Sequence, residues 1–337
     1  MSQSASAALA YTPEVAQEMA SVRSRLGPVM DDRHWEHAAP YIAAINALKK
    51  EKNAVILAHN YQVPEIFFGV ADITGDSLKL AQEAAKSDAD VILQAGVSFM
   101  AETSKILNPD KTVLIPSLEA GCSLASSITA ADVRLLREKY PGVPVVSYVN
   151  TTAEVKAETD VCCTSSNAVK IVNALGVDRV IFLPDEYLGK YVASKTDVQI
   201  ISWKGRCEVH ERFTPEYVRE LRAEHPGLTV LAHPECDTAV LDECDFVGST
   251  AQMADYVGEK QPPRLVLITE CSMSDNVYAA NQNLEFIRPC QLCPHMKTMS
   301  LQNILYSLQN MTHEVTIDPA VQKAALRSIE RMLELSK

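Results

Sequence analysis

The sequence has no run of about 18 apolar residues, so no membrane-spanning helix is expected. Its start has no basic segment followed by an apolar stretch, which argues against secretion. The Ser/Ala-rich opening is followed by Glu14, Glu18, Asp31 and Asp32, a composition unlike that of a transit peptide. There is no basic stripe either. The 31 Lys and Arg stand against 43 Asp and Glu, and the net charge of −12 disfavours nucleic acid as a partner. An anionic substrate in such a chain needs local help from helix N-termini, His, Lys or a metal.

What is present is a globular composition, 47% apolar and 22% charged, over 337 residues, enough for two or three domains. Nine cysteines are scattered through a chain too large to depend on disulfide staples. That usage fits a reducing cytoplasm, with metal ligation as the expected role of some of them.

Internal repetition organises the rest. Ala54-Val-Ile-Leu-Ala-His59, Val143-Pro-Val-Val-Ser-Tyr148 and Leu228-Thr-Val-Leu-Ala-His233 are strand patterns ending in a polar ring. Ala71 to Ser77, Asp160 to Ser165 and Asp245 to Thr250 are short strands running into a hydroxyl, and each precedes a helical pattern. Val91-Ile-Leu, Val180-Ile-Phe-Leu and Leu265-Val-Leu-Ile form a third set. The fourth set (Val113-Leu-Ile-Pro, Val198-Gln-Ile-Ile-Ser, Leu284-Glu-Phe-Ile-Arg-Pro) leads to cysteines. Cys207 follows Cys122 by 85 residues and precedes Cys293 by 86.

The expected fold is α/β: three pseudo-symmetric repeats of a four-stranded parallel sheet flanked by helices, around a central cavity. The repeats span 41–125, 126–211 and 212–297. An N-terminal helical arm is expected over 1–40, with a helical pattern at Val15, Met19, Val22 and Leu26 and a loop at Asp31-Asp-Arg-His. An amphipathic helix follows from Tyr41 to Lys50, and a helical segment is expected over 298–337. Ligands in parallel α/β units bind beyond the carboxyl ends of strands, where all the residues singled out here fall.

Three thiols in one register point to a metal centre with an open position. Soft sulfur ligands select iron–sulfur, zinc or copper(I). Cys290, Cys293 and His295 offer a zinc alternative, but the register includes Cys293 and omits Cys290. A [4Fe–4S] cube normally takes four Cys; with three, one iron can act as a Lewis acid. Cys162, Cys163, Cys236, Cys244 and Cys271 read as small buried hydrophobes. His59, Tyr61, Tyr148, Asn150, His233 and Glu235 form the acid/base set. Ser77, Ser165 and Thr250 read as helix N-caps whose ends can also hold anions.

An ordered set of stretches resembles the quinolinate synthase family from about residue 41 to 310. They are Ala58-His-Asn-Tyr-Gln, Gly75-Asp-Ser-Leu, Phe99-Met-Ala-Glu-Thr, Ala120-Gly-Cys-Ser-Leu-Ala, Tyr148-Val-Asn-Thr, Thr164-Ser-Ser-Asn-Ala, Trp203-Lys-Gly-Arg-Cys-Glu-Val-His, Ala232-His-Pro-Glu-Cys and Cys293-Pro-His-Met-Lys. The resemblance implies condensation of iminoaspartate with dihydroxyacetone phosphate to quinolinate, with loss of phosphate and water, in NAD biosynthesis. It implies a [4Fe–4S] cluster on Cys122, Cys207 and Cys293, and a hand-off of iminoaspartate from L-aspartate oxidase. Substrate contacts are implied at His59, Ser77, Tyr148, Asn150, Ser165, His210, His233, Glu235 and Thr250, with catalysis by Tyr61, Glu235, His59, Tyr148 and His233. Some members carry C-x-x-C-x-x-C before the Pro; this chain has only Cys290-Gln-Leu-Cys293. An iron–sulfur hydro-lyase of another substrate and a non-enzymatic metal-stabilised protein are the alternatives.

Overall fold

The computed structural model describes residues 9–337; the first eight residues of the expected N-terminal arm lie outside them. Among the described residues, twelve strands form three four-stranded parallel sheets. The first holds β1 (Ala54–His59), β2 (Ile73–Gly75), β3 (Val91–Ala95) and β4 (Thr112–Leu114) in the order 2-1-3-4. The second holds β5 (Val145–Tyr148), β6 (Val161–Cys163), β7 (Arg179–Leu183) and β8 (Gln199–Ser202), and the third β9 (Thr229–Ala232), β10 (Phe246–Val247), β11 (Arg264–Ile268) and β12 (Glu285–Ile287). Their orders, 6-5-7-8 and 10-9-11-12, repeat that of the first. The expected architecture is therefore present. The first strand of the second sheet starts later than the sequence pattern, after Pro144, which has no N–H to give to a ladder.

A pinned aspartate recurs in each sheet. Asp72 accepts from the Ile56 amide at 2.8 Å, Asp160 from Val145 at 2.7 Å and Asp245 from Val230 at 2.8 Å. Each is also paired to a cation on the helix preceding its sheet: Lys49 at 2.7 Å, Arg137 at 2.9 Å and Arg222 at 2.8 Å. A carboxylate that satisfies a strand amide and an ion partner together fixes where the second strand enters beside the first.

The inner strands of each sheet are short apolar runs largely buried on both faces, as parallel sheets covered by helices require, whereas edge strands such as β8 and β12 are only partly buried. Every residue of β3 is buried, as are Val180 to Leu183 of β7. One large core joins the first sheet, one face of the second and the terminal helices. The third sheet has separate clusters around Val230 and Ile268 and around Leu231 and Leu267. Helix Leu301–Asn310 packs on the long helix Asp32–Glu51, and helix Pro319–Leu335 lies on β6 and helix Ala153–Ala157.

One expectation fails in the N-terminal arm. Asp31 to His34 is not a loop: Asp31 is extended (φ −73, ψ 170) and its carboxylate accepts from the His34 amide at 2.8 Å. Residues from Asp32 onward are helical, so an acidic pair read as loop is a helix start. Among the described residues no helix is long and apolar enough to cross a membrane.

Candidate active site

The carboxyl ends of the strands meet around a cavity of about 710 Å³, its mouth included. His59 and Tyr61 come from the end of β1, Tyr148 and Asn150 from β5, and His233 and Glu235 from beyond β9. Ser77, Ser165 and Thr250 follow β2, β6 and β10, and Cys122, Cys207 and Cys293 follow β4, β8 and β12. His210 completes the group. All thirteen residues expected from the sequence line this one space. Among the described residues that line it there is no Lys or Arg.

The three thiols share a local design. Each precedes a single 3-10 turn: Ala125–Ser127, His210–Arg212 and Met296–Thr298. Each sulfur receives backbone N–H groups from the residues two and three places on: Leu124 and Ala125 for Cys122, Val209 and His210 for Cys207, His295 and Met296 for Cys293. Burial pushes the Cys122 thiol up to about 12 and raises the other two, while these amides pull the opposite way. Paired amides on a sulfur favour its thiolate form, the form that binds metal. Cys207, His210 and Glu235 also bring one ligand atom each within 4.8 Å of one another.

Cys290 does not join them. It is exposed, and its sulfur lies 2.7 Å from that of Cys271. His295, the other member of the zinc alternative, is paired with Glu208 at 3.0 Å. Cys162, Cys163, Cys236 and Cys271 are buried as expected, and Cys244 is half-buried.

Glu235 is the electrostatic centre. It is only 3% exposed, which excludes a solvated loop carboxylate. Burial alone would raise its pKa, but the His233 and His210 rings and hydrogen bonds from His210 and Tyr148 outweigh that and hold it below the usual carboxylate range. Its Oε2 lies 2.7 Å from His210 Nδ1 and 3.6 Å from His233 Nδ1. The His210 and His233 rings stack at 4.8 Å. Burial, opposed by the Glu235 charge, lowers His59 to about 4 and His233 to about 3. Both rings are therefore neutral at pH 7.

Their tautomers follow from the backbone. His59 Nδ1 accepts from the Tyr61 amide at 3.2 Å, and His233 Nδ1 from the Glu235 amide at 3.4 Å. A neutral ring accepting at Nδ1 carries its proton on Nε2. His233 Nε2–H thus donates to Ser165 Oγ, 3.2 Å away. The Tyr61 and Tyr148 phenols are raised well above 10 by burial and by the Glu235 charge, so both are protonated donors at rest.

The hydroxyls are not caps. Asp76 caps helix Ser77–Lys86 by accepting from the Lys79 amide, and Ser249 forms a capping box with Gln252 on helix Thr250–Lys260. Asn167 holds the cap position before helix Ala168–Ala174. Asp76 and Ser249 have the extended backbone a cap needs (φ −80, ψ 175 and φ −62, ψ 168), one residue earlier than the sequence reading placed it. Ser77 and Thr250 are first helical residues, with their hydroxyls on the cavity; Thr250 Oγ1 accepts from Asn60 at 2.9 Å. The buried Oδ1 of Asn150 has no protein partner among the described residues.

Sequence reasoning missed residues beyond the third strand of the second and third repeats. Thr269 Oγ1 is 2.6 Å from Tyr61 OH and 2.9 Å from His210 Nε2. Glu270, fully buried, pairs with Lys297 at 2.9 Å, and Lys297 also donates to the Tyr61 carbonyl at 3.1 Å. Asp185 is fully buried, and burial raises its pKa, with the Glu235 charge adding to the effect. The rule that ligands gather at carboxyl ends would have found them had it been applied to Val180-Ile-Phe-Leu and Leu265-Val-Leu-Ile.

Residues 43–334 match the family described as quinolinate synthetase A protein. The chain is 64% identical over 299 residues to quinolinate synthase 2 of Mesorhizobium japonicum, covering 89% of this chain and 92% of that one. It is 60% identical over 316 residues to quinolinate synthase of Agrobacterium fabrum (94% and 92% covered) and 56% identical over 329 residues to that of Caulobacter vibrioides (96% and 90%). With a family match across most of its length and relatives this similar over nine-tenths of theirs, the chain belongs to the quinolinate synthetase A protein family, a family of enzymes.

Proposed function

We propose that this chain is a quinolinate synthase of NAD biosynthesis, joining iminoaspartate to dihydroxyacetone phosphate and releasing phosphate and water in the cytoplasm. Its iminoaspartate is handed over from L-aspartate oxidase. The protein is built as repeats 41–125, 126–211 and 212–297 between the arm 1–40 and the segment 298–337. The observation that carries the reading is one cavity in which three register-matched thiols face a buried carboxylate, neutral imidazoles and two phenols.

Cys122, Cys207 and Cys293 fit a [4Fe–4S] cluster: three soft donors in one cavity, each supplied with two amide N–H groups. When bound, such a cluster with three protein ligands supplies Lewis-acid chemistry at its remaining iron, which eases loss of hydroxide. Glu235 and His210 lie close to Cys207, but they are engaged with each other, which favours the thiols as the ligand set.

The protein's own groups do the rest. Ser77 and Thr250 stand at the starts of helices of 10 and 11 residues, where free amide N–H groups attract carboxylates and phosphate without any Lys or Arg. Ser165, receiving the His233 Nε2 proton, and the unpaired Asn150 Oδ1 orient donor and acceptor groups of the substrates. Tyr61 and Tyr148, protonated at rest, can donate to oxygen that becomes anionic. Glu235, ionised at rest, can take a proton from carbon or nitrogen during ring formation. His59 and His233 remain neutral donors that shield the carboxylate from water.

Anaerobic incubation of the iron- and sulfide-loaded chain with both substrates tests the reading. Quinolinate should form only when both are present. A cluster-loaded chain that makes none, or that dehydrates a hydroxy acid instead, would overturn it in favour of a hydro-lyase.

A further inference from the structure

We propose that Lys156 is a positioning residue for this reaction, the buried amine that holds Asn150 on the cavity by gripping the carbonyls on either side of it. The inference rests on the proposed function for its chemistry, and on the hydrogen bonds alone for its geometry. In the first and third repeats, the residue two places beyond the strand-end ring is held by that ring. His59 Nδ1 accepts from the Tyr61 amide, and His233 Nδ1 from the Glu235 amide. The matching pair in the second repeat is Tyr148 and Asn150, and a phenol has no ring nitrogen to do this.

Lys156 supplies the missing hold. It lies on helix Ala153–Ala157, fully buried and behind the cavity wall rather than on it. Its Nζ donates to the Val149 carbonyl at 2.8 Å and to the Thr151 carbonyl. The Val149 carbonyl also accepts from the Thr151 amide at 2.8 Å, closing a three-residue turn with Asn150 at its centre. Two carbonyls need two N–H donors, and an amine has at least two in either protonation state. Nζ also lies 5.6 Å from the centre of the Phe99 ring, which lines the cavity. Eight residues after the strand-end ring, the other two repeats have Phe67 and Leu241 where this one has Lys156. The amine is thus present only in the repeat that lacks the histidine. Burying it is costly unless its donors are met, and packing alone would be served by an apolar side chain, as in the other two. Glu102 Oε2 accepts from the Ala153 amide at 2.8 Å, so helix Ser98–Leu107 of the first repeat fixes the start of the helix that carries Lys156. The buried Oδ1 of Asn150 is left without a protein partner, free for a substrate donor.

Methionine keeps the length of lysine without its donors. In anaerobic, cluster-loaded protein, Lys156→Met should raise KM for one substrate, and the Kd for quinolinate in calorimetry, roughly tenfold, about what one hydrogen bond contributes. Turnover should be nearly unchanged, as when a binding contact alone is lost. In an Asn150→Ala background the same substitution should weaken binding no further, because it acts through that side chain. Asparagine labelled with ¹⁵N in its side chain gives a second readout: the amide resonance that disappears in Asn150→Ala should shift in Lys156→Met. Lys156→Gln serves if the methionine variant fails to fold, as judged by circular dichroism. Loss of the fold in both variants, an additive loss in the double variant, or an Asn150 resonance that does not move would each overturn the proposal. Absence of quinolinate formation by the wild type, with the resonance still moving, would remove the reaction and leave the positioning in place.

Discussion

Glu235 and His210 meet at 2.7 Å, both buried, although one follows a strand of the third sheet and the other follows the last strand of the second. This contact joins two repeats at the cavity and keeps a negative charge where few groups can solvate it. Glu235→Gln preserves shape and removes both charge and basicity. The variant is expected to hold its cluster, to lose about 1–3 kcal/mol of stability through its imperfectly satisfied amide, and to lose turnover roughly a hundred- to ten-thousand-fold. Denaturant unfolding and an anaerobic quinolinate assay on one sample check both numbers. Near-normal turnover with an intact cluster would remove Glu235 from proton transfer.

The ligand set is tested by four serine substitutions. Cys122→Ser, Cys207→Ser and Cys293→Ser should each strip or cripple the cluster, whereas Cys290→Ser should retain iron and visible absorbance. The exposed Cys290 sulfur faces Cys271 and lies away from the cavity. Iron kept in Cys122→Ser and lost in Cys290→Ser would reverse the assignment.

Much of this site was legible because three repeats place functional residues at matching offsets. The 85- and 86-residue steps between cysteines picked out Cys293 over Cys290, and the structure puts the selected three in one cavity. Pattern alone could not separate a cap from its neighbour. Asp76-Ser77 and Ser249-Thr250 each offer two capping residues in a row, and only backbone angles decide between them. The Asp31–His34 start failed similarly, because Asp-Asp-Arg-His is polar whether it opens a helix or a loop. The carboxyl-end rule marks Thr269 and Glu270 as candidates, but their roles show only in the fold, because their partners, Tyr61 and Lys297, are distant in sequence.

The cap reassignment makes a paired prediction. Asp76→Ala should destabilise the protein by about 1 kcal/mol through loss of the helix cap. Ser77→Ala should change stability by no more than about 0.5 kcal/mol and raise the KM for one substrate. Chemical denaturation with steady-state kinetics separates the two; a larger stability loss for Ser77→Ala would return the cap to that residue.

Acid should weaken the fold through His59 and His233. In the unfolded chain both rings protonate near pH 6.5, but the fold holds them neutral down to about 4 and about 3. Unfolding therefore takes up protons below pH 6.5, and stability falls as pH drops through that window, by on the order of a few kcal/mol. Glu235, whose folded pKa is depressed, contributes stability above the usual carboxylate range that is lost at still lower pH. Urea unfolding between pH 7.5 and pH 4.5 should show the decline, with a shallower slope in His59→Gln. A flat profile for the wild type would contradict the buried neutral rings.

The most direct test counts iron and acid-labile sulfide in anaerobically purified protein and measures quinolinate formed from iminoaspartate and dihydroxyacetone phosphate in the same tube. The expected result is about four iron and four sulfide per chain. Quinolinate formation should rise in proportion to cluster content and vanish, together with the visible absorbance, after exposure to air. Full activity in an aerobic, metal-free sample, or a zinc-loaded chain without iron, would contradict the account.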